Sequence, residues 1–213
     1  MNRQYTPFDS FLMQADTALR AVFGSPKVTE RPNPAENVED CELDDKQKKL
    51  VTGLMRINHA GEVCAQALYQ GQAMTARDPE IRAKLERAAQ EENDHLAWCE
   101  GRLKELGART SVFDPFWYVG SLGLGVAAGL AGDKWSLGFL AETENQVTKH
   151  LEGHLERLPE ADKKSTAIVK QMAIDEKGHE QLAIREGGAD LPKPIKEMMK
   201  ATSKVMTNTV YHI

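Results

Sequence analysis

Glu91-Glu92-Asn93-Asp94-His95 interrupts a run whose apolar positions are Ile81, Leu85, Ala88, Leu96, Cys99, Leu103 and Leu106. Steps of three and four between those positions are the buried stripe of an amphipathic helix. Carried through the gap between Ala88 and Cys99, the stripe falls on Glu92 and His95. A carboxylate and an imidazole thus stand where the pattern asks for leucine. An unpaired carboxylate is expensive to bury, so it neutralises, pairs or binds a metal. What faces Glu92 and His95 across the core therefore decides the fold.

The chain supplies a second copy. Asp175-Glu176-Lys177-Gly178-His179 lies in a run with Ile168, Met172, Leu182 and Ala183, again placing Glu176 and His179 three apart on or beside the apolar face. Each copy is preceded by a helix with one glutamate on its stripe. The first reads Val51, Met55, Glu62, Tyr69; the second reads Leu137, Leu140, Glu144, Val147, Leu151, Leu155, Leu158. Phase separates neighbours here: Glu144 is in register, whereas Glu142 points off the stripe toward solvent or an outer contact. The intervals agree as well, with Glu62 to Glu92 spanning 92 − 62 = 30 residues and Glu144 to Glu176 spanning 176 − 144 = 32. The pattern is a duplicated helical hairpin, each half offering Glu … Glu-x-x-His.

Four inward glutamates and two Glu-x-x-His pairs are the ligand arrangement of a di-iron or di-manganese site in a ferritin-like four-helix bundle. Residues at i and i+3 share a helix face, so each pair can hold one ion from one side. Four carboxylates balance two divalent cations, and oxygen with imidazole, without thiolate, favours iron or manganese over an iron–sulfur cluster or structural zinc. The expected metal ligands are Glu62, Glu92, His95, Glu144, Glu176 and His179. A metal-free bundle with charged outer faces would leave unexplained why all six sit on apolar stripes and why the halves match in order and interval.

The expected architecture is all-α: residues 1–43 as an amphipathic helix and linker, and 44–213 as the bundle, with an apolar crossover at about 108–133. In the first part, Phe8, Phe11, Leu12, Ala15, Leu19 and Val22 form a short apolar stripe broken by Asp16 and Arg20. That is not the continuous apolar core of a signal peptide, so the protein is expected to stay in the cytoplasm. Gly24, Pro26, Pro32 and Pro34 mark the linker. The bundle helices are expected at about Asp45–Ala76, Pro79 to the Gly107 stop, Lys134–Leu158 with Asp133 as cap, and Ala161–Glu186, with a last amphipathic helix over 195–209. Its stripe of Ile195, Met198, Met199, Val205 and Met206 suits core or a partner face. A net charge of −5 without a basic tract argues against nucleic acid as a partner. Cys41, Cys64 and Cys99 make no Cys-x-x-Cys pair, which excludes a disulfide scaffold.

Pro115–Gly132 carries no Asp, Glu, Lys or Arg and has five glycines, and is slightly short for a span of ~20 residues. Two compatible readings stand: a buried crossover helix whose glycines permit close packing, or a segment dipping into one bilayer leaflet with Phe116, Trp117 and Tyr118 at the interface.

The run Asn58-His59-Ala60-Gly61-Glu62, the Glu-Asn-Asp-His and Glu-Lys-Gly-His pairs and the glycine-rich crossover together resemble the bacterial demethoxyubiquinone hydroxylases over nearly the whole chain. The resemblance implies a ferritin-like fold, two iron ions (Fe2+) on the six residues above, and peripheral attachment to the cytoplasmic face of the cell membrane. It also implies hydroxylation of 2-polyprenyl-3-methyl-6-methoxy-1,4-benzoquinol with dioxygen, with electrons from a separate donor; a homo-oligomer is compatible with it. The family's additional active-site histidine corresponds to His150, although helical phase sets His150 off the stripe. His59 is either a neighbour of the ligands or a core histidine. Asp94 and Asp175 are candidates for orienting the ligand histidines. The rival reading of the same ligands is a ferritin- or rubrerythrin-like protein that stores iron or reduces peroxide; it does not account for the apolar crossover.

Overall fold

The computed structural model describes residues 6–24, 28–29 and 31–213, and among them every regular element is a helix. In chain order these are α1 (Pro7–Phe23), α2 (Asp45–Thr75), α3 (Pro79–Glu105), α4 (Asp114–Leu130), α5 (Asp133–Leu155), α6 (Lys163–Arg185) and α7 (Lys193–Val210). Pro26 and the side chain of Phe11 lie outside the described residues.

Local chemistry sets most boundaries. Asp44 opens α2 with a capping box, accepting from the Gln47 N–H at 2.8 Å while Gln47 accepts in return. Asp78 caps α3 ahead of Pro79, and Asp162 caps α6 through the Ser165 N–H. Gly107 and Gly187, at φ 69° and 91°, occupy the left-handed stops beyond α3 and α6. Two expectations are corrected. Helix α5 ends at Leu155, three residues before Leu158, because the His154 carbonyl accepts from both Arg157 and Leu158 and tightens the chain into a turn. Asp133 does not cap α5. Its carboxylate accepts the backbone N–H groups of Arg77 and Asp78, at 3.0 and 2.9 Å, and so ties the start of α5 to the α2–α3 turn.

Helices α2 and α3 form one antiparallel hairpin, α5 and α6 the other. Their apolar stripes meet in two clusters. One gathers Leu54, Met55, Trp98, Leu103, Leu151, Ile168 and Met172; the other gathers Tyr69, Ala73, Leu85, Leu137, Leu140 and Ala183. The polar stripe positions form the layer between these two clusters. Each of α2, α3, α5 and α6 thus contributes apolar residues above and below its inward acid.

Helix α4 returns the chain along α2 and packs there by backbone contact. A Cβ on Gly125 would lie 2.3 Å from the Leu68 carbonyl oxygen, and one on Gly129 would lie 1.9 Å from Thr75 Oγ1. Gly125 and Gly129 are therefore explained by packing. Gly125→Ala is expected to destabilise the fold by about 1–3 kcal/mol, because two backbones must part. Gly120→Ala, with nothing within 4 Å of its Cβ, should be neutral or slightly stabilising through helix propensity; paired thermal melts check both. The opposite side of α4 stays uncovered, with Phe116, Val119 and Leu130 each more than 60% exposed. Leu122 faces inward with Tyr118 and Leu96. No helix among the described residues is long and apolar enough to cross a membrane.

The linker is more than a spacer. Thr29 donates its N–H and hydroxyl to Asp94, and Arg31 pairs with Asp175 while its guanidinium lies 5.1 Å over the Trp98 ring. Polar anchors hold this strap without regular structure, which is why no hydrophobic period announces it.

Candidate metal centre

All six inward residues are brought together. Glu62 comes from α2, Glu92 and His95 from α3, Glu144 from α5, and Glu176 and His179 from α6. None is more than 6% exposed. Ligand atoms of Glu62, Glu92, His95 and Glu176 all lie within 4.8 Å of one another, a buried group that could hold a metal ion.

The two histidines are placed alike. His95 Nδ1 lies 2.9 Å from Glu92 Oε2 and 3.0 Å from Glu176 Oε1. His179 Nδ1 lies 3.2 Å from Glu92 Oε1 and 3.3 Å from Glu176 Oε2. Glu92 and Glu176 thus each turn one oxygen toward each imidazole and stand between the two halves. Glu62 reaches the His95 side, at 3.6 Å from Nδ1. Glu144 is held by the Tyr69 hydroxyl, which donates to its Oε1 at 3.0 Å.

Outside this ring the contacts cross between hairpins. His95 Nε2 on α3 meets Asp175 Oδ2 on α6 at 3.0 Å, and His179 Nε2 on α6 meets Glu91 Oε2 on α3 at 2.9 Å. Glu91 and Asp175 fill the same place in the two copies, immediately before the ligand glutamate. Asp94 does not take that role: it follows Glu92 by two residues, faces the strap and binds Thr29. The duplication was the signal that would have chosen Glu91 over Asp94.

Electrostatics bear on what the centre accepts. Burial first, then the carboxylates of Glu176 and Glu92, hold Glu62 and Glu144 well above the ordinary glutamate range. Burial opposes charge on His95, but Glu92 and then Asp175 outweigh it and raise its proton affinity. Glu91 is drawn below the usual range chiefly by the His179 hydrogen bond. For Asp175, burial pushes upward but the bonds from His95 and Arg31 win. Both outer carboxylates are therefore ionised acceptors, which hold a proton on each imidazole's Nε2 and would leave Nδ1 to a metal ion that displaces its proton. In addition, Glu62 Oε2 and Glu144 Oε2 lack a hydrogen-bond partner. Buried carboxylates and imidazoles converging from four helices call for a cation, so the residues present could hold a metal ion.

The remaining candidates lie elsewhere. His150 is not brought to this ring: it packs edge-on against His154 with centroids 4.6 Å apart, and its charged neighbour is Arg157. The position at six residues beyond Glu144 turns it away, as its phase implied. His59 is a buried residue whose Nδ1 lies 3.4 Å from Asp114 at the start of α4. Glu142 is neither solvated nor in the centre; it accepts from Gln146 and pairs with Lys196 of α7 at 3.3 Å. The three cysteines are free. A narrow apolar slot lined by Tyr69, Leu85, Leu137, Leu140 and Ala183 ends at His179, with a volume of about 10 Å3.

Comparison with known proteins identifies the family. Residues 49–210 match the family model described as ubiquinone biosynthesis protein COQ7. The chain is 54% identical over 211 residues to the 3-demethoxyubiquinol 3-hydroxylase of Nitrosococcus oceani, covering 99% of each chain. It is 56% identical over 209 residues to the enzyme of the same name from Polynucleobacter necessarius, covering 98% of this chain and 100% of that one. The protein therefore belongs to the COQ7 family of ubiquinone biosynthesis proteins.

Proposed function

We propose that this protein is a 3-demethoxyubiquinol 3-hydroxylase that inserts one oxygen of dioxygen into the unsubstituted ring carbon of 2-polyprenyl-3-methyl-6-methoxy-1,4-benzoquinol. The other oxygen leaves as water, with two electrons and two protons drawn from a separate reductant. The observation that carries this reading is the pair of glutamates, Glu92 and Glu176, standing between two equivalent histidines in a buried ring of four carboxylates. Glu62 and His95 would hold one ion, Glu144 and His179 the other, and Glu92 and Glu176 would serve both. When bound, two iron ions supply the activation of dioxygen.

The chain's own residues do the rest. Glu91 and Asp175 fix the orientation and proton position of the two imidazoles. Tyr69, kept protonated by burial and by the neighbouring carboxylates, donates to Glu144 and limits its swing. The Leu-lined slot at His179 has the polarity and width for a small apolar gas. Iron storage and peroxide reduction, the alternative uses of such ligands, leave the exposed apolar side of α4 without a purpose.

A polyprenyl substrate resides in the bilayer, so the uncovered face of α4 is proposed to rest on the cytoplasmic leaflet as a peripheral contact. Replacing Phe116 and Leu124 together with aspartate is expected to weaken partition onto lipid vesicles by about tenfold or more, since each exchange removes roughly 2 kcal/mol of apolar transfer. Metal content should not change. Vesicle flotation that is the same for both proteins would overturn the membrane contact.

Quinone profiling of a strain lacking the protein tests the reaction itself. Accumulation of the demethoxy intermediate, reversed by the intact chain, is expected. Undiminished ubiquinone in that strain would refute the assignment.

A further inference from the structure

His150 and His154 are four residues apart on α5 and so share one helix face. His154 is only 2% exposed. Its Nδ1 lies 2.7 Å from Asn58 Oδ1, and an amide oxygen can only accept, so the ring proton is on Nδ1 and Nε2 is a bare lone pair. That Nε2 has no hydrogen-bond partner, and neither has the buried Nε2 of His150. A histidine kept only for packing would have both nitrogens satisfied. Both residues instead line a cavity of about 460 Å3 between α2, α5 and α7, whose other walls include Arg157, Asn208 and His212.

An imidazole whose one N–H is held by an oxygen and whose other nitrogen is an unpartnered lone pair has the set-up of a metal ligand. Burial, and then the nearby charges of His150 and Arg157, hold His154 neutral, with its pKa pushed down to about 3. Burial and Arg157 act on His150 in the same direction. Protons therefore do not compete for either lone pair near neutral pH. No carboxylate lines the cavity, which disfavours magnesium and calcium, whereas imidazole suits zinc and copper. Arg157 opposes a cation, but it is exposed and its charge is screened by solvent.

We propose that His150 and His154 form a second metal site, for a divalent transition-metal ion of the zinc type, with water completing its coordination. The site stands apart from the carboxylate ring: ten residues along α5 separate His154 from Glu144, about 15 Å at helical rise. An ion bound there only in the folded chain is expected to raise the melting temperature. The proposal is independent of the oxygenase assignment.

The test is calorimetric titration of the iron-loaded full chain with zinc chloride, with bound iron measured before and after. Saturable uptake of one zinc per chain, without iron release, is expected. His150→Ala should weaken it by about tenfold or more, as should His154→Gln, while both variants keep their iron. His150 is half-buried at the cavity wall, so that variant reports on binding even if His154→Gln folds poorly. Absence of saturable uptake in the intact chain, equal uptake by the intact chain and His150→Ala, or zinc uptake matched by iron release would each overturn the proposal.

Discussion

Glu144→Ala is expected to lose at least one metal ion per chain and to lower hydroxylation by about 100-fold or more, beyond what losing an outer partner of a ligand costs. Glu144 is fully buried, is gripped by Tyr69 and keeps one oxygen free toward the ring. The alanine would leave His179 with the shared acids alone. Glu142→Ala is the control two residues away. It removes a partly buried pairing with Lys196 of α7, away from the centre, and should retain metal and activity within about twofold. Metal analysis and turnover on the same preparations separate the two variants. Equal losses would mean that helical phase misassigned the ligand on α5.

Asp175→Asn and Glu91→Gln probe the crossed outer contacts. Each keeps its side chain's shape but removes the charge that fixes the imidazole proton on Nε2. A loss of about 10- to 100-fold in metal affinity or activity is expected for either. Asp175→Asn should be the more severe, because Asp175 also anchors Arg31 and with it the strap over Trp98. Asp94→Asn, which touches the strap but neither histidine, should change stability more than turnover. If Asp94→Asn proved the more damaging to metal binding, the assignment of the outer carboxylates would be reversed.

Much of the centre was legible in the chain because burial follows periodicity. Glu62, Glu92, His95, Glu144, Glu176 and His179 occupy stripe positions where apolar residues belong, and the duplicated interval showed that the two halves face each other. The same phase kept Glu142 and His150 out of the ring. Phase was silent on residues just off the stripe, where a quarter-turn decides between a neighbouring helix and the strap. Asp94 and Glu91 differ in that way, and only the repeat, read residue by residue, favours Glu91.

The order of the helices, the inward acids and the apolar crossover were thus determined by sequence alone, since each follows from spacing along one helix. Tertiary structure decided what depends on approach between elements: the backbone contact that makes Gly125 obligatory, the crossing of Asp175 and Glu91 between hairpins, the strap from Thr29 and Arg31, and the cavity that leaves His150 and His154 without partners. Those features rest on distances of a few ångströms between residues 57–144 positions apart in the chain, from Gly125 and Leu68 (125 − 68 = 57) to Arg31 and Asp175. No local pattern encodes such distances, because the helices that set them are positioned by the packing of the whole core.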